Sequence, residues 1–139
     1  MPAPFSLTLK VAFGDVDYAR ILYYPKLFHY CHMALEAFAE DAFGRTYAQL
    51  LSEDDRGFPT VRAEAEYISP IPYGTELRLE VSVREVGNSS LKLDIDFYEN
   101  GTETVLARAH LTKVCVSMSR FKSVPFTDEF RESLLRYSV

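Results

Sequence analysis

Hydrophobic and polar positions alternate at the start of this chain, fall at helical spacing in its second quarter, and alternate again afterwards. Phe5, Leu7, Leu9, Val11 and Phe13 alternate with Ser6, Thr8, Lys10 and Ala12. A period of two predicts a half-buried strand over 5–13. Gly14 ends it, and 14–20 reads as a loop by composition. Pro25 suits a first helical turn, where a missing N–H costs nothing. Beyond it, Leu27, Cys31, Ala34, Leu35, Phe38 and Ala42 share one face of a long helix. Phe28, Met33 and Ala37 widen that face, so the helix is expected to be largely enclosed, and Gly44 stops it. A short helical turn follows over Tyr47–Leu51, then a polar loop over 52–57.

Period two then returns. Val61, Ala63, Ala65 and Tyr67 alternate with Arg62, Glu64 and Glu66, and a turn-rich corner spans 69–74. Leu77, Leu79, Val81 and Val83 form the next apolar set, and Leu91, Leu93, Ile95 and Phe97 the one after Gly87-Asn88. Asn100-Gly101 is a hairpin signal. Val105, Ala107, Ala109 and Leu111 continue the alternation, which slips to Val114, Val116 and Met118 and so predicts a bulge near Lys113. A last helix carries Phe130, Leu134 and Tyr137 behind a Thr127 N-cap. The order is strand, long helix, four consecutive strands: an α+β fold, with a meander-connected antiparallel sheet wrapped around one long central helix. One sheet covers one side of such a helix, so a second subunit is expected to cover the other.

Composition narrows this picture. At 139 residues, 47% apolar and 25% charged, the chain reads as one domain over 1–139. No apolar run reaches the roughly 18 residues of a membrane span. Met1 to Ser6 carry no positive charge, so no signal peptide is visible and the cytoplasm is the expected location. A net charge of −5 with no basic cluster argues against a nucleic-acid partner. Cys31 and Cys115 lie in apolar-periodic segments and read as buried thiols, too few for a disulfide framework.

The candidate chemistry sits before the long helix. Asp15 and Asp17 lie two apart, followed by a helix N-terminus. A carboxylate can act as nucleophile or as general base toward water. A helix N-terminus offers free N–H groups and a positive dipole end, which can hold a carbonyl oxygen as it becomes an oxyanion. Together they are a minimal kit for acyl-transfer hydrolysis, although an Asp before a helix also serves as a cap or a solvated loop residue.

Phe13-Gly14-Asp15-Val16-Asp17, then Ala19, Ile21, Leu22, Tyr23, Tyr24 and Pro25, resemble the active-site signature of hotdog-fold thioesterases of the 4-hydroxybenzoyl-CoA thioesterase type. The resemblance extends through Arg62-Ala63-Glu64 and Tyr67, Gly74, and Gly87 to Leu91, and so covers most of the chain. It implies a hotdog fold and an acyl-CoA substrate, with no cofactor and no metal. By position, Asp17 matches the catalytic carboxylate, the Tyr24 N–H matches the oxyanion donor, and Asp15 matches a structural position. The family is commonly tetrameric, a dimer of dimers, so a homodimer or homotetramer is expected. Where the family has Gly, this chain has Arg20, which is expected to approach the substrate or the CoA phosphates, or to pair with Asp15 or Asp17. Tyr18, Tyr23, Tyr24 and Phe28 are expected to line an aromatic (benzoyl-type) acyl pocket, a fatty-chain tunnel, or plain core. Arg84 and Lys92, beside the Gly87 turn, are further candidates for CoA phosphate binding.

Rival readings remain distinct. Glu36, on the long helix, matches the carboxylate of a related thioesterase branch, but it lies about three turns past the helix start. His29 and His32 stand i, i+3 on that helix with no converging acidic or thiol ligand in sequence. His110 alternates outward on its strand. Ser89 and Ser90 have no His–Asp arrangement beside them. A hotdog hydratase would need a His five residues after its Asp, where this chain has Arg20 or Leu22. An aliphatic acyl-CoA or acyl-carrier-protein thioesterase and a non-catalytic acyl-binding module are the alternatives.

Overall fold

Residues 4–138 are described by the structure, a computed structural model. The chain runs β1 (Phe5–Lys10), α1 (Lys26–Phe43), α2 (Tyr47–Ser52), β2 (Arg56–Gly57), β3 (Thr60–Tyr67), β4 (Glu76–Val86), β5 (Ser90–Glu99), β6 (Val105–Val114), β7 (Val116–Ser117), β8 (Lys122–Ser123) and α3 (Asp128–Leu135). An antiparallel five-stranded sheet has the order β1-β4-β5-β6-β3, and β2, β7 and β8 form a small second sheet.

Local sequence explains the helix boundaries. α1 contains neither Gly nor Pro, and it ends at Gly44 in the left-handed region (φ 67°), whose N–H bonds to the Glu40 carbonyl. α2 starts on a capping box, Thr46 with Gln49. The Thr127 hydroxyl accepts the Phe130 N–H at the start of α3. Leu27, Cys31, Ala34, Leu35, Phe38 and Ala42 are all buried against the sheet. Phe130 stacks on Phe43, and Tyr137 packs edge-on against Phe38. Leu77, Leu79, Val81 and Val83 of β4 are fully buried, each worth roughly 1.5–3 kcal/mol relative to exposure.

Four expectations change. β1 stops at Lys10 rather than Phe13, because the chain turns out of the sheet into a 3-10 turn over Phe13–Asp15 and leaves Phe13 exposed. The four later strands are consecutive in sequence but not in space. β3 pairs with β6 at the far edge, and the segment joining β3 to β4 crosses back through a bond from the Leu22 N–H to the Ile71 carbonyl. No slip occurs at Lys113. Ala109, Leu111, Lys113 and Cys115 all stay buried, and the irregularity lies opposite, between Thr60 and Arg62. Finally, α1 is enclosed on one side only: it packs on β1 and β4, while His29, His32, Met33 and Glu36 face outward.

Candidate active site

The loop between β1 and α1 is built around two aspartates with different surroundings. Asp15 is a post. The Tyr30 hydroxyl, buried on α1, donates to Asp15 Oδ2 at 2.6 Å and accepts the Ala12 N–H at 3.1 Å. Lys26 Nζ lies 3.7 Å from Asp15 Oδ1, and the Asp15 carbonyl accepts the Tyr23 N–H. Burial, reinforced by the hydrogen bond to Asp15, pushes the Tyr30 hydroxyl up to about 12. Asp17 is presented instead. Its Oδ1 accepts only the Ala19 N–H, at 2.8 Å, and no cation pairs with it among the described residues. Its backbone closes a tight turn, with the Asp17 N–H on the Ile21 carbonyl and the Arg20 N–H on the Asp17 carbonyl.

That turn explains the glycine of the resembling signature. Arg20 has φ 69°, a left-handed conformation that costs a side-chain-bearing residue roughly 1–2 kcal/mol and Gly nothing. The loop keeps its shape with Arg20 in place. Arg20 forms no ion pair with Asp15 or Asp17, and its side chain is left exposed beside the cleft.

At the start of α1 the Tyr24 carbonyl accepts the Tyr67 hydroxyl at 2.5 Å, and the Lys26 N–H bonds to the Tyr23 carbonyl. Pro25 has no N–H. The Tyr24 N–H makes no hydrogen bond among the described residues. It is therefore a free donor at the positive end of an 18-residue helix. Asp17 and Tyr24 line one cleft of about 340 Å³ with Ile21, Leu22, Tyr67 and Ile68. Asp17 also borders a wider cleft of about 810 Å³ with Phe13, Tyr18, Arg20 and Tyr73.

The other candidates separate. Tyr18 is fully exposed on the wide cleft, and Tyr23 packs edge-on against Tyr24 without lining either space. Phe28 is half-buried and packs against the core, because its side of α1 faces inward. Arg84 and Lys92 lie on the outer face of the sheet, away from both clefts. Arg84 pairs with Asp94 at 2.9 Å and Lys92 with Glu85 at 3.2 Å, so within the chain neither joins Asp17. Glu36 pairs with His32 at 3.8 Å and lines neither cleft. His110 also lies on the outer face, 2.7 Å from Asp94. Cys31 and Cys115 are free and buried. Sequence reading missed Tyr30 and Tyr67 as supports of the site. Tyr30 looks like one more inward helix position, and only the fold carries the Tyr67 hydroxyl across 43 residues.

An antiparallel sheet packed on one long helix in this order is the hotdog architecture. The thioesterase-like superfamily pattern matches residues 11–134, so the chain belongs to the thioesterase-like superfamily and is a thioester hydrolase. It is 27% identical over 135 residues to a 1,4-dihydroxy-2-naphthoyl-CoA hydrolase of Synechococcus elongatus, covering 95% of this chain and 96% of that one. A hydrolase of the same name from Thermosynechococcus vestitus is 28% identical, covering 85% and 80%. A solved 1,4-dihydroxy-2-naphthoyl-CoA thioesterase from Synechocystis superposes with a TM-score of 0.84 at 20% identity, covering 96% of both chains. A gentisyl-coenzyme A thioesterase superposes at 0.81 with 24% identity, covering 94% of this chain and 99% of that one. No helix among the described residues is long and apolar enough to cross a membrane.

Proposed function

We propose that the chain hydrolyses an aromatic acyl-CoA, with Asp17 as the carboxylate that attacks the thioester carbonyl or activates a water. The observation that carries this is the pairing, in one cleft, of an Asp17 carboxylate held by a single N–H and a Tyr24 N–H without an acceptor. The thioester oxygen takes the Tyr24 N–H, and the helix dipole stabilises the charge that develops there. The C–S bond breaks, CoA leaves as thiolate, and water supplies the oxygen of the free acid. The names of the relatives support a hydroxylated bicyclic acyl group beside the smaller hydroxybenzoyl group. In this reading Arg20, exposed at the rim of the wide cleft, meets a CoA phosphate, and Arg84 and Lys92 on the outer face of the sheet are the alternative cations.

A second copy completes this reading. The inner face of β3, the Tyr24 ring and Met33 are exposed apolar surface beside an unpaired strand edge. An antiparallel β3 of a second copy, with the twofold axis at Ala63, sets each Arg62 against the other copy's Glu64.

Thiol release from hydroxynaphthoyl-, hydroxybenzoyl- and aliphatic CoA thioesters, by wild type and Asp17→Asn, tests the proposal. Aryl thioesters are expected to be preferred, and the variant to lose at least about 10²-fold. Turnover that survives in Asp17→Asn overturns the role of Asp17. Labelled water oxygen entering the Asp17 carboxylate in a single turnover marks the nucleophile route, and its absence marks the general base.

A further inference from the structure

The Tyr24 N–H can serve as a donor only while it is held still. It belongs to the Tyr23–Tyr24 peptide, whose carbonyl accepts the Lys26 N–H at 2.8 Å. That bond fixes the plane of the peptide and polarises it, which strengthens its N–H as a donor. The next peptide, Tyr24–Pro25, is held less well from within the helix. Pro25 brings no N–H, and the Leu27 N–H reaches the Tyr24 carbonyl only at 3.4 Å, a long bond. The short bond comes from another element. The Tyr67 hydroxyl, 43 residues away in sequence, donates to that carbonyl at 2.5 Å.

Tyr67 is well placed to hold it. It is the last residue of β3, opposite Ala107 of β6. The N–H groups of Ile68 and Ser69 both bond to the Leu106 carbonyl at 3.0 Å, so the strand end that carries the ring is fixed. The ring itself is half-exposed, and a phenylalanine would cover the same surface. The hydroxyl is what distinguishes the residue. Burial pushes its pKa up, so at neutral pH it keeps the proton that it donates. Tyr67 also lines the same cleft as Asp17 and Tyr24, which puts the brace inside the site. A hydroxyl has one proton to give. Because this one is spent on the Tyr24 carbonyl, Tyr67 cannot also donate to a thioester oxygen, and it acts through Tyr24.

We propose that Tyr67 is a positioning residue for the oxyanion donor: its hydroxyl fixes the direction of the Tyr24 N–H and so governs the rate of carbonyl attack more than the binding of substrate. This rests on the thioesterase reading, with Tyr24 as the donor. A donor aimed at developing charge gains most in the transition state, so a loosened one slows turnover and leaves the ground-state complex nearly as it was. A brace that served the fold alone would, when removed, give a less stable protein whose folded molecules turn over at the full rate.

Tyr67→Phe keeps the ring and removes the bond. With 2-naphthoyl-CoA its kcat is expected to fall about 10- to 10²-fold while KM stays within about threefold of wild type. An isotope-labelled ketone analogue, with a methylene between the naphthoyl carbonyl and sulfur, reports the donor directly. Its carbonyl stretch is expected to drop in frequency on binding wild type, and to drop less on binding Tyr67→Phe. Relaxation of the Tyr24 amide tests the brace without any substrate: an order parameter of about 0.85 is expected in wild type and one below about 0.6 in the variant. A mobile Tyr24 amide in wild type overturns the proposal, a result that stands even where the variant fails to fold. An equally rigid amide in Tyr67→Phe, an unchanged kcat, or a lowered kcat with an unchanged carbonyl band overturns it too. A wild type that releases no thiol from any thioester refutes the thioesterase reading, and the two order parameters then decide separately whether Tyr67 holds Tyr24.

Discussion

β4 and β3 carry the same alternation and meet different fates. Leu77, Leu79, Val81 and Val83 of β4 are completely buried, while Val61 and Tyr67 of β3 are 62% and 48% exposed. The difference is position. β4 lies inside the sheet under α1, whereas β3 is an edge strand beyond the helix. The two halves differ in kind: the covered half supplies stability, and the open half carries the Asp17 cleft and the free strand edge. Asp15 and Asp17 stand on either side of this boundary. Asp15 is tied to α1 through Tyr30, and Asp17 faces the open half.

Substitutions sharpen the contrast. The largest stability effect is expected from Leu79→Ala in the covered half, a loss of about 2–5 kcal/mol in urea unfolding that does not change with protein concentration. Ala63→Arg in the open half should leave the fold intact and act on assembly. Across a twofold axis the new charges meet each other, a repulsion of several kcal/mol, so light scattering should give one chain's mass, 15.9 kDa. An unchanged mass above that value would show that β3 is not the contact. Tyr30→Phe, at the boundary, should cost about 1–2 kcal/mol by leaving Asp15 and the Ala12 N–H without their partner. It should also alter alkaline behaviour. The folded state raises the Tyr30 pKa from 10.0 to about 12 and so holds that proton more tightly. Its contribution is complete below pH 10 and is lost as pH rises toward 12, and the variant should lack that component of the decline. The smallest effect is expected from Lys92→Ala, whose exposed pair with Glu85 is worth under about 0.5 kcal/mol in thermal unfolding.

Much of this was legible in residue order because the signals are local. The α1 stripe, the Gly44 stop, the Thr127 cap and the inward sets of β4 and β5 are matters of period and backbone preference, and all appear in the structure. The Asp17 loop was legible as a motif that singled out Asp17 and the Tyr24 N–H, though its backbone geometry was not. Neither the left-handed φ of Arg20 nor the unengaged Tyr24 N–H follows from spacing, since both depend on how the loop closes on the 68–73 segment. Lys113 shows the limit most plainly. A lysine in an apolar register looks like a slip of phase, yet the strand holds its register and turns the ammonium inward.

By itself the sequence determined which residues share a face, where helices start and stop, and that an acidic loop precedes a helix N-terminus, because these depend on neighbours a few residues away. The tertiary structure decided which faces are covered, that β3 pairs with β6 rather than β4, that the Tyr67 hydroxyl braces the start of α1, and that Lys113 points into a cavity. Those outcomes depend on contacts between residues far apart in the chain, and one alternating pattern is compatible with either an inner or an edge strand until the whole sheet is assembled.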